Sequence, residues 1–294
     1  MRVKMPQFQR LVRFLSNDGA IYYGDAILPT GVTDARQAKS ARVISGDIFG
    51  AHKVEDKVVP IAKLLSPLAP EAVSTARFLG LNYRKHAIET NMPVPKYPIL
   101  FYKPSTSLAG PEDDIIVPRL AQVEDNRIDY ECELVIVIGK KCRDVSEAEA
   151  PNYVLGYSLG NDVSQRTWQL QLGGSQWGIG KMFDTWAPFG PAIVSPEVVG
   201  ATDQLEISTT LNGQVVQKES TGDMIFSVAQ AVSFLSQGST LLPGDVIFMG
   251  TPSGVGMGRS PQIWLKDGDL VEMSLSNVGT IRNVVRYQRE SSKL

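Results

Sequence analysis

An apolar and largely β-branched run at residues 134–138 predicts a strand that is buried on both faces. Glu131 and Glu133 precede this run, and because side chains alternate along a strand, both glutamates share one face. Two carboxylates on one face repel each other and resist desolvation. They need either a cation between them or exposure to water on an edge strand. Hard divalent cations prefer oxygen ligands, but this stretch alone leaves both interpretations open.

Short apolar runs recur after residue 78, separated by loops rich in glycine and proline, whereas helical periodicity is sparse. The best helical pattern spans 224–236, and a second short helix is predicted to begin at 146–150. Asn212-Gly213 predicts a tight turn between two strands. The chain is therefore predicted to be mainly β with few helices (α+β). The predicted strands are 78–81, 99–102, 115–117, 134–138, 153–161, 192–195, 205–211, 214–218, 246–249, 270–275 and 279–285.

The first 70 residues differ from the rest of the chain in their pattern of apolar and polar positions. They predict a small β-rich N-terminal domain, followed by a catalytic domain at 71–294. Residues 11–15 and 20–23 are apolar runs joined by an Asp18-Gly19 turn, which predicts a hairpin. Basic residues precede the first acid, as in a mitochondrial presequence: Arg2, Lys4, Arg10 and Arg13. Because the hairpin accounts for much of this segment, a cytoplasmic location is favoured, with the mitochondrion as the alternative.

Composition narrows the class of protein. The 294 residues carry a net charge of −2, which gives no signature of nucleic-acid binding. No apolar stretch approaches the roughly 18 residues of a membrane helix. Cys132 and Cys142 are the only cysteines and form no CxxC pair, which favours neither a disulfide scaffold nor a zinc site. With only two histidines, His52 and His86, any metal is expected to rely on carboxylates.

Two polar residues could complete a site around the glutamates. Asp162 ends a predicted strand and could be a third carboxylate ligand, or it could cap a following helix. Lys181 follows a glycine-rich turn and could stabilise negative charge on a substrate, or it could be an ordinary surface lysine. The residues themselves leave each pair of alternatives open.

A possible proton-transfer pair lies at His86 and Glu89. Residues three apart share one face of a helical turn, so the carboxylate could orient the imidazole as a general base. Exposed pairs of this kind are also common. Further along, Thr251 begins a glycine-rich loop after a predicted strand, where backbone N–H groups and a hydroxyl could bind a carboxylate.

Taken together, five segments resemble the fumarylacetoacetate hydrolase family, in its order and spacing, over residues 78 to about 285. The resemblance is greatest to its domain-containing-protein-2 branch, which has a similar small N-terminal domain. The matching segments are Gly80-Leu81-Asn82-Tyr83 with His86, Asp129-Tyr130-Glu131-x-Glu133-Leu134, Asn161-Asp162-Val163-Ser164-x-Arg166, Gln176-Trp177-x-x-Gly180-Lys181-x-x-Asp184, and Pro243-Gly244-Asp245-Val246-Ile247 with Gly250-Thr251-Pro252-x-Gly254-Val255-Gly256.

The resemblance implies a mixed β-roll domain, a homodimer and one Mg²⁺ or Mn²⁺ per subunit, with Ca²⁺ as a further candidate. It places Glu131, Glu133 and Asp162 at the metal-ligand positions. His86 and Glu89 match the catalytic dyad on a lid, and Lys181 matches the active-site lysine. Thr251 matches the contact to the substrate carboxylate. Tyr83, Arg166 and Gln176 are further substrate-binding candidates, and Arg84 is expected to contribute to substrate choice.

The family's substrates imply a 1,3-dicarbonyl compound or a 2-keto acid. The function expected for this chain is hydrolysis of a carbon–carbon bond in a β-diketone or acylpyruvate, through an enolate that the metal stabilises. Oxaloacetate tautomerisation or decarboxylation is the alternative, because it needs the same stabilisation. A binding protein that kept the fold without the activity is a third class, but none of the three carboxylates or the dyad is missing. A glycosidase is disfavoured because carboxylates two apart on a strand share one side.

Overall fold

The computed structural model describes residues 8–123 and 126–289, and most of their regular structure is strand. Arg2 and Lys4, named in the sequence analysis, lie outside the described residues. The strands are β1 Arg10–Leu15, β2 Ile21–Ile27, β3 Ser40–Gly46, β4 His52–Pro60, β5 Lys63–Leu64, β6 Ala76–Gly80, β7 Ile99–Lys103, β8 Leu108–Ala109, β9 Ile115–Val117, β10 Ile128–Asp129, β11 Cys132–Ile138, β12 Val154–Asn161, β13 Ser164–Gln165, β14 Ala187–Val194, β15 Glu206–Leu211, β16 Gln214–Ser220, β17 Val246–Phe248, β18 Leu270–Leu275 and β19 Gly279–Tyr287.

The helices are few and short, as predicted: α1 Arg84–Glu89, α2 Pro196–Val199 and α3 Val228–Ser236. The prediction of a mainly β fold with few helices is confirmed. One-turn 3₁₀ segments lie at Ala35–Gln37, Pro70–Ala72, Ser105–Ser107, Arg119–Ala121, Ala150–Tyr153, Gly178–Gly180, Thr221–Asp223 and Gly256–Gly258, and a π-helical turn lies at Trp168–Leu172. Across the two described ranges, no helix combines the length and the apolar character needed to cross a membrane.

Local chemistry explains where the predicted elements differ. Helix α3 begins at Val228 and not at residue 224, because Ser227 and Gln230 form a reciprocal capping box that fixes the first turn. The helix predicted at 146–150 is instead a 3₁₀ turn that starts at Ala150. The Asn212-Gly213 turn is present, with positive φ at both residues. Strands β3 and β4 were not predicted, because many of their side chains are exposed and blur the alternation.

A twelve-stranded sheet carries most of these strands, with the central order β4-β3-β2-β1-β14-β12-β11-β17-β6-β7 among the described residues. The buried run predicted at 134–138 is β11, which pairs with β12 on one side and β17 on the other. The N-terminal strands extend the same sheet through β1 and β14, where Arg10 lies opposite Val194. A boundary near residue 70 therefore stays a prediction about domain organisation, since backbone hydrogen bonds join both parts.

A five-stranded sheet, in the order β16-β15-β18-β19-β9, packs against one face of the large sheet. Side chains of β11 alternate between two apolar clusters. Leu134 and Ile136 join Ile207 of β15 in the core between the sheets, whereas Val135 joins Phe248 of β17 on the opposite face. Glu133 has the parity of Val135, so it lies on the face away from the five-stranded sheet.

Candidate active site

Three buried carboxylates meet where β11 begins and β12 ends. Cys132 lies opposite Asn161 in this antiparallel pair, so the residues just outside the pairing, Glu131 and Asp162, are brought together. The Asp162 amide donates to the Glu131 carbonyl at 2.9 Å. One ligand atom from each of Glu131, Glu133 and Asp162 lies within 4.8 Å of the other two. We call these residues the acidic triad.

Two members of the acidic triad have cationic partners. Glu131 forms an ion pair with Arg166 Nη2 at 2.6 Å and accepts a hydrogen bond from Lys181 Nζ at 3.0 Å. Asp162 pairs with Lys181 and with Lys103, both at 2.6 Å. Burial opposes ionisation of Glu131, but Arg166 and Lys181 outweigh it and lower the pKa of this carboxyl. Asp162 caps no helix, because β13 begins two residues after it, at Ser164.

Glu133 is the exception, because within the described part of the chain no cation pairs with it. Its Oε2 accepts one hydrogen bond, from the Gly250 amide at 2.7 Å. Burial raises the pKa of Glu133 well above its ordinary value, and the charges of Asp162 and Glu131 add to the rise. A buried cluster with one uncompensated carboxylate, built only from oxygen donors, suits a hard divalent cation such as Mg²⁺, Mn²⁺ or Ca²⁺. The residues therefore fit the cofactor that the sequence implies.

Lys181 is a buried part of this cluster and not a surface lysine. Its side chain is only 2% exposed. Its ammonium donates to Glu131, to Asp162 and to the Ser164 hydroxyl, the last at 2.6 Å. Burial opposes the charge, yet Asp162 and Glu131 raise the pKa of the amine above its ordinary value. Lys181 therefore carries a fixed positive charge beside the acidic triad.

The His86–Glu89 pair lies on α1, with both side chains on one face of the helix. Glu89 Oε2 lies 3.0 Å from His86 Nδ1, and Glu89 Oε1 accepts from the Gly254 amide at 2.8 Å. Both side chains are largely buried, so this is not an exposed surface pair. A carboxylate at Nδ1 favours the tautomer with the proton on Nδ1, which leaves Nε2 as the basic nitrogen.

A narrow cleft runs between this helix and the acidic triad, with a volume of about 50 Å³, enough for a few water molecules. Its polar lining includes most of the residues singled out from the sequence: His86, Glu131, Glu133, Arg166, Lys181 and Thr251. Its apolar lining is formed mainly by Leu79, Met92, Phe101, Leu170, Trp177 and Met257.

Three of the proposed substrate-binding residues do not line this cleft. Tyr83 immediately precedes α1 and is fully buried. Arg84 turns away, because its guanidinium donates to the carbonyl oxygens of Met224 and Asp223 at 2.6 and 3.3 Å. Gln176 is exposed and accepts from the Gly178 amide at 3.1 Å. The structure thus gives no support to a direct contact between Arg84 and substrate.

Three residues at the site were missed in the sequence, and Lys103 is the first. Lys103 is fully buried and donates to the carbonyl oxygens of Val163 and Trp186 at 3.0 and 2.7 Å, besides pairing with Asp162. Burial lowers the pKa of Lys103 to about 8, although Asp162 opposes that shift. Nothing in the sequence distinguishes this lysine from others at the end of a strand.

Gln169 is the second missed residue. It lines the cleft and accepts from Arg166 Nη1 at 2.9 Å. The spacing of three between Arg166 and Gln169, at the start of a helical turn, is the signal that could have revealed it.

The glycine-rich loop at 250–258 binds three separate parts of the site through its backbone. Gly250 donates to Glu133 and Gly254 to Glu89, as above, while the Gly256 and Met257 amides donate to Asp129 at 2.7 and 3.0 Å. A Cβ at Gly256 would overlap the carbonyl oxygen of Ile263, so this close approach requires glycine. We call residues 250–258 the glycine loop.

Asp129 connects the glycine loop to Arg166 through hydrogen bonds. Its Oδ2 accepts from Arg166 Nε at 2.9 Å and lies 2.8 Å from Nη2. Both side chains are buried. A guanidinium held by two nitrogens has a fixed plane, so Arg166 enters the cleft in one orientation.

Thr251 is positioned by a buried amide that the sequence reasoning also missed. Gln217 Nε2 donates to Thr251 Oγ1 and to the Pro252 carbonyl, both at 2.9 Å. Its Oε1 accepts from the Cys132 amide at 3.2 Å. Gln217 therefore connects Thr251 by hydrogen bonds to the start of β11, next to the acidic triad.

This fold and site place the chain in a known class of enzymes. The family model for the fumarylacetoacetate (FAA) hydrolase C-terminal domain matches residues 76–286, and the chain belongs to the fumarylacetoacetate hydrolase family. A fumarylacetoacetate hydrolase domain-containing protein 2 homolog of Dictyostelium discoideum is 46% identical, over 80% of this chain and 78% of that protein. The resemblance to the domain-containing-protein-2 branch is thereby confirmed.

Relatives with named activities differ from one another. The mitochondrial oxaloacetate tautomerase fahd2 of Xenopus laevis is 42% identical, over 76% of this chain and 68% of that protein. A caffeoylpyruvate hydrolase of Neonothopanus nambi is 39% identical, over 96% of this chain and 94% of that protein. A solved structure described as a 2-hydroxyhepta-2,4-diene-1,7-dioate isomerase from Mycobacterium marinum is 36% identical, covers 96% of this chain and 100% of its own, and superposes with a TM-score of 0.80.

Proposed function

We propose that this chain is a divalent-metal-dependent enzyme that hydrolyses a carbon–carbon bond in an acylpyruvate-type 2-keto acid, with Mg²⁺ or Mn²⁺ as its cofactor. The observation that carries the proposal is the arrangement of one cleft. Glu131 and Glu133 line it beside Lys181, and His86 lines it from α1. The relative named as a caffeoylpyruvate hydrolase supports the same reaction class.

The acidic triad would hold the cation through its carboxylate oxygens. When bound there, a divalent cation supplies positive charge that stabilises an oxyanion on the substrate. Lys181 adds its own charge to this region. Its three N–H donors are already occupied by Glu131, Asp162 and Ser164, so it acts through its field and not as a mobile hydrogen-bond donor.

The substrate carboxylate fits next to Arg166 and Gln169. Arg166 donates through Nε to Asp129 and through Nη1 to Gln169, and its Nη2 is held in ion pairs with Asp129 and Glu131, which leaves one N–H at Nη1 for a ligand. Gln169 also lines the cleft, and its Nε2 amide has no hydrogen-bond partner among the described residues. The Thr251 hydroxyl accepts from Gln217 and lines the same cleft.

His86 is the residue that transfers protons in this reaction. Its Nε2 accepts a proton from water, while Glu89 holds the ring through Nδ1. The resulting hydroxide forms a bond to the distal carbonyl carbon, and the bond from that carbon to the adjacent CH₂ then breaks. The electron pair stays with the pyruvate fragment as an enolate, which takes a proton at carbon from Nε2 of His86. The products are a carboxylic acid and pyruvate, and the imidazole is neutral again.

Oxaloacetate tautomerisation is the second candidate, and the frog relative with that name favours it. The reaction needs a proton relay such as His86 but no attacking water. Decarboxylation of oxaloacetate would need neither. All three reactions require stabilisation of an enolate, which is why the acidic triad alone does not distinguish them.

A proton NMR time course separates these candidates. With Mg²⁺ present, acetylpyruvate and oxaloacetate are offered separately to the protein and to a Glu131→Ala variant. Appearance of acetate and pyruvate from acetylpyruvate, absent with the variant, is the result expected for the hydrolase. Faster enol–keto exchange or loss of carbon dioxide with oxaloacetate, and no cleavage of acetylpyruvate, would replace the hydrolase by a tautomerase or decarboxylase.

The remaining proposals concern assembly and location. A homodimer in the cytoplasm is proposed from the family resemblance, with the mitochondrion as the alternative because the frog relative is named as mitochondrial. Light scattering coupled to gel filtration measures the mass against the 32.1 kDa of one chain. Fractionation of cells that carry the tagged full chain reports its location.

A further inference from the structure

One side of the cleft is apolar, and two of its four residues lie on strands. Leu79 lies on β6 and Phe101 on the adjacent β7, while Leu170 and Trp177 come from the segment that follows β13. We call these four residues the apolar wall. The apolar wall adjoins the polar groups, since Lys181 Nζ lies 4.9 Å from the centre of the Phe101 ring, and it is the part of the cleft that can contact the rest of a substrate.

Trp177 is held in place by the residues behind it. Its indole lies directly against the backbone of Gly80, where a Cβ would overlap the ring. It meets Phe101 edge to face, with the ring centroids 5.5 Å apart. Phe101 in turn stacks on Phe78, whose ring is fully buried. The aromatic surface is therefore fixed before any ligand binds, which reduces the entropy cost of binding.

The side chains of the cleft supply one free cationic donor for a substrate carboxylate. Among the lining residues that the structure describes, Arg166 and Lys181 are the cationic ones. Lys181 has no free donor, and Arg166 keeps one, as described above. A second carboxylate at the far end of a substrate would lie against the apolar wall, where it would lose water without gaining a cation.

The mouth of the cleft can adapt to a larger group. Met92 and Leu170 are 43% and 45% exposed, and methionine side chains repack easily. Since the cleft holds only a few waters, an acyl group would enter by displacing these two side chains. Trp177 and Phe101 would stay in place.

We infer that the preferred substrate is a monocarboxylic acylpyruvate whose distal acyl group is aryl or bulky and apolar, with Trp177 as the residue that selects it. This inference rests on the proposed hydrolase function. It excludes dicarboxylic acylpyruvates as good substrates, because the cleft offers them no second cation.

The test compares three acylpyruvates with Mg²⁺ present: benzoylpyruvate, acetylpyruvate and succinylpyruvate, the last with a distal carboxylate. We expect kcat/KM for benzoylpyruvate to exceed that for succinylpyruvate by about 100-fold or more. Trp177→Ala should lower kcat/KM for benzoylpyruvate by about tenfold, mainly through KM, and that for acetylpyruvate by less than about threefold. Trp264→Ala, at a half-buried tryptophan in a separate surface groove, is the matched control and should change neither.

A charge placed at the mouth gives a test in the opposite direction. Leu170→Arg is expected to raise kcat/KM for succinylpyruvate by about tenfold while lowering that for benzoylpyruvate. Because Leu170 is partly exposed, the variant is expected to fold. Thermal melting of each variant checks this expectation.

Several outcomes would overturn the inference. Equal turnover of succinylpyruvate and benzoylpyruvate would do so, as would equal losses for both aryl and acetyl substrates in Trp177→Ala. If no acylpyruvate is cleaved, the hydrolase proposal fails, and calorimetric binding of the same three ligands then decides the selectivity separately. Binding of succinylpyruvate as tight as that of benzoylpyruvate would refute the role of the apolar wall.

Discussion

Replacing Glu133 by glutamine should stabilise the protein when no metal is present. Glu133 is 1% exposed, and its ionised form has one hydrogen bond and two anionic neighbours, Glu131 and Asp162. Since its pKa is raised in the folded protein, the unfolded chain gives up the proton first. Glutamine keeps the acceptor for the Gly250 amide and adds a donor for the neighbouring carboxylates.

The magnitude of the stabilisation expected for Glu133→Gln follows from the ordinary pKa of glutamate. At pH 7, the raised pKa of Glu133 lowers the free energy of unfolding by at most about 3.7 kcal/mol. This bound is about 1.36 kcal/mol per pH unit over the roughly 2.7 units that separate pH 7 from an ordinary pKa of about 4.3. The stability given by the protonated carboxyl is fully present below the unfolded-state pKa and is lost as pH rises through the raised folded-state pKa. The advantage of Glu133→Gln should therefore grow with pH across this window.

Thermal unfolding in EDTA, followed by addition of Mg²⁺, measures both consequences. In EDTA at pH 7, Glu133→Gln should melt higher than the parent protein by up to about 10 °C. Saturating Mg²⁺ should raise the Tm of the parent, by the equivalent of about 2.7 kcal/mol at 100 times Kd, and leave the variant unchanged. Glu147→Gln, at an exposed glutamate, is the matched control and should behave as the parent does.

Two results would refute this reasoning. A lower Tm for Glu133→Gln in EDTA would mean that the carboxylate is not an uncompensated charge in the metal-free protein. An undiminished response of the variant to Mg²⁺ would mean that Glu133 is not needed to hold the cation.

Three further substitutions test other parts of the site. His86→Asn should lower kcat for acylpyruvate hydrolysis by about 10²- to 10⁴-fold and leave Mg²⁺ binding by calorimetry unchanged; undiminished acetate release would contradict its role as base. Lys103→Met should lower the free energy of unfolding by about 3–5 kcal/mol in urea, because Asp162 loses one buried partner, and a loss near zero would show that the pair contributes little. Gln217→Leu should raise KM about tenfold, the equivalent of about 1.4 kcal/mol, by freeing Thr251; an unchanged KM would assign Gln217 to folding alone.

Continuous apolar patterns made the central strands predictable from sequence. The run at 134–138 has neighbours on both sides in the sheet, so burial dominates its composition and its strand assignment was correct. The outer strands β3 and β4 are partly exposed, and without alternation they left no signal. The start of α3 depended on the side-chain pair of Ser227 and Gln230, which periodicity does not detect.

The residues of the candidate site likewise differ in whether the sequence could predict them. The strand alternation that relates Glu131 to Glu133 is local, so it could be predicted, whereas the approach of Asp162 depends on the register of β11 and β12. Lys103 was missed because its partners, the carbonyl oxygens of Val163 and Trp186, are distant in sequence. Conversely, Arg84 was expected at the pocket because it adjoins His86 in sequence. The first turn of α1 instead directs its guanidinium to backbone carbonyls.

The glycine loop has a consequence for how such an enzyme can diversify. It supports Glu133, Glu89 and Asp129 through peptide N–H groups, and those donors are the same whichever side chains surround them. The apolar wall, by contrast, consists entirely of side chains. A single substitution at Trp177 or Leu170 can therefore change the substrate specificity, while the residues that the glycine loop supports keep their positions.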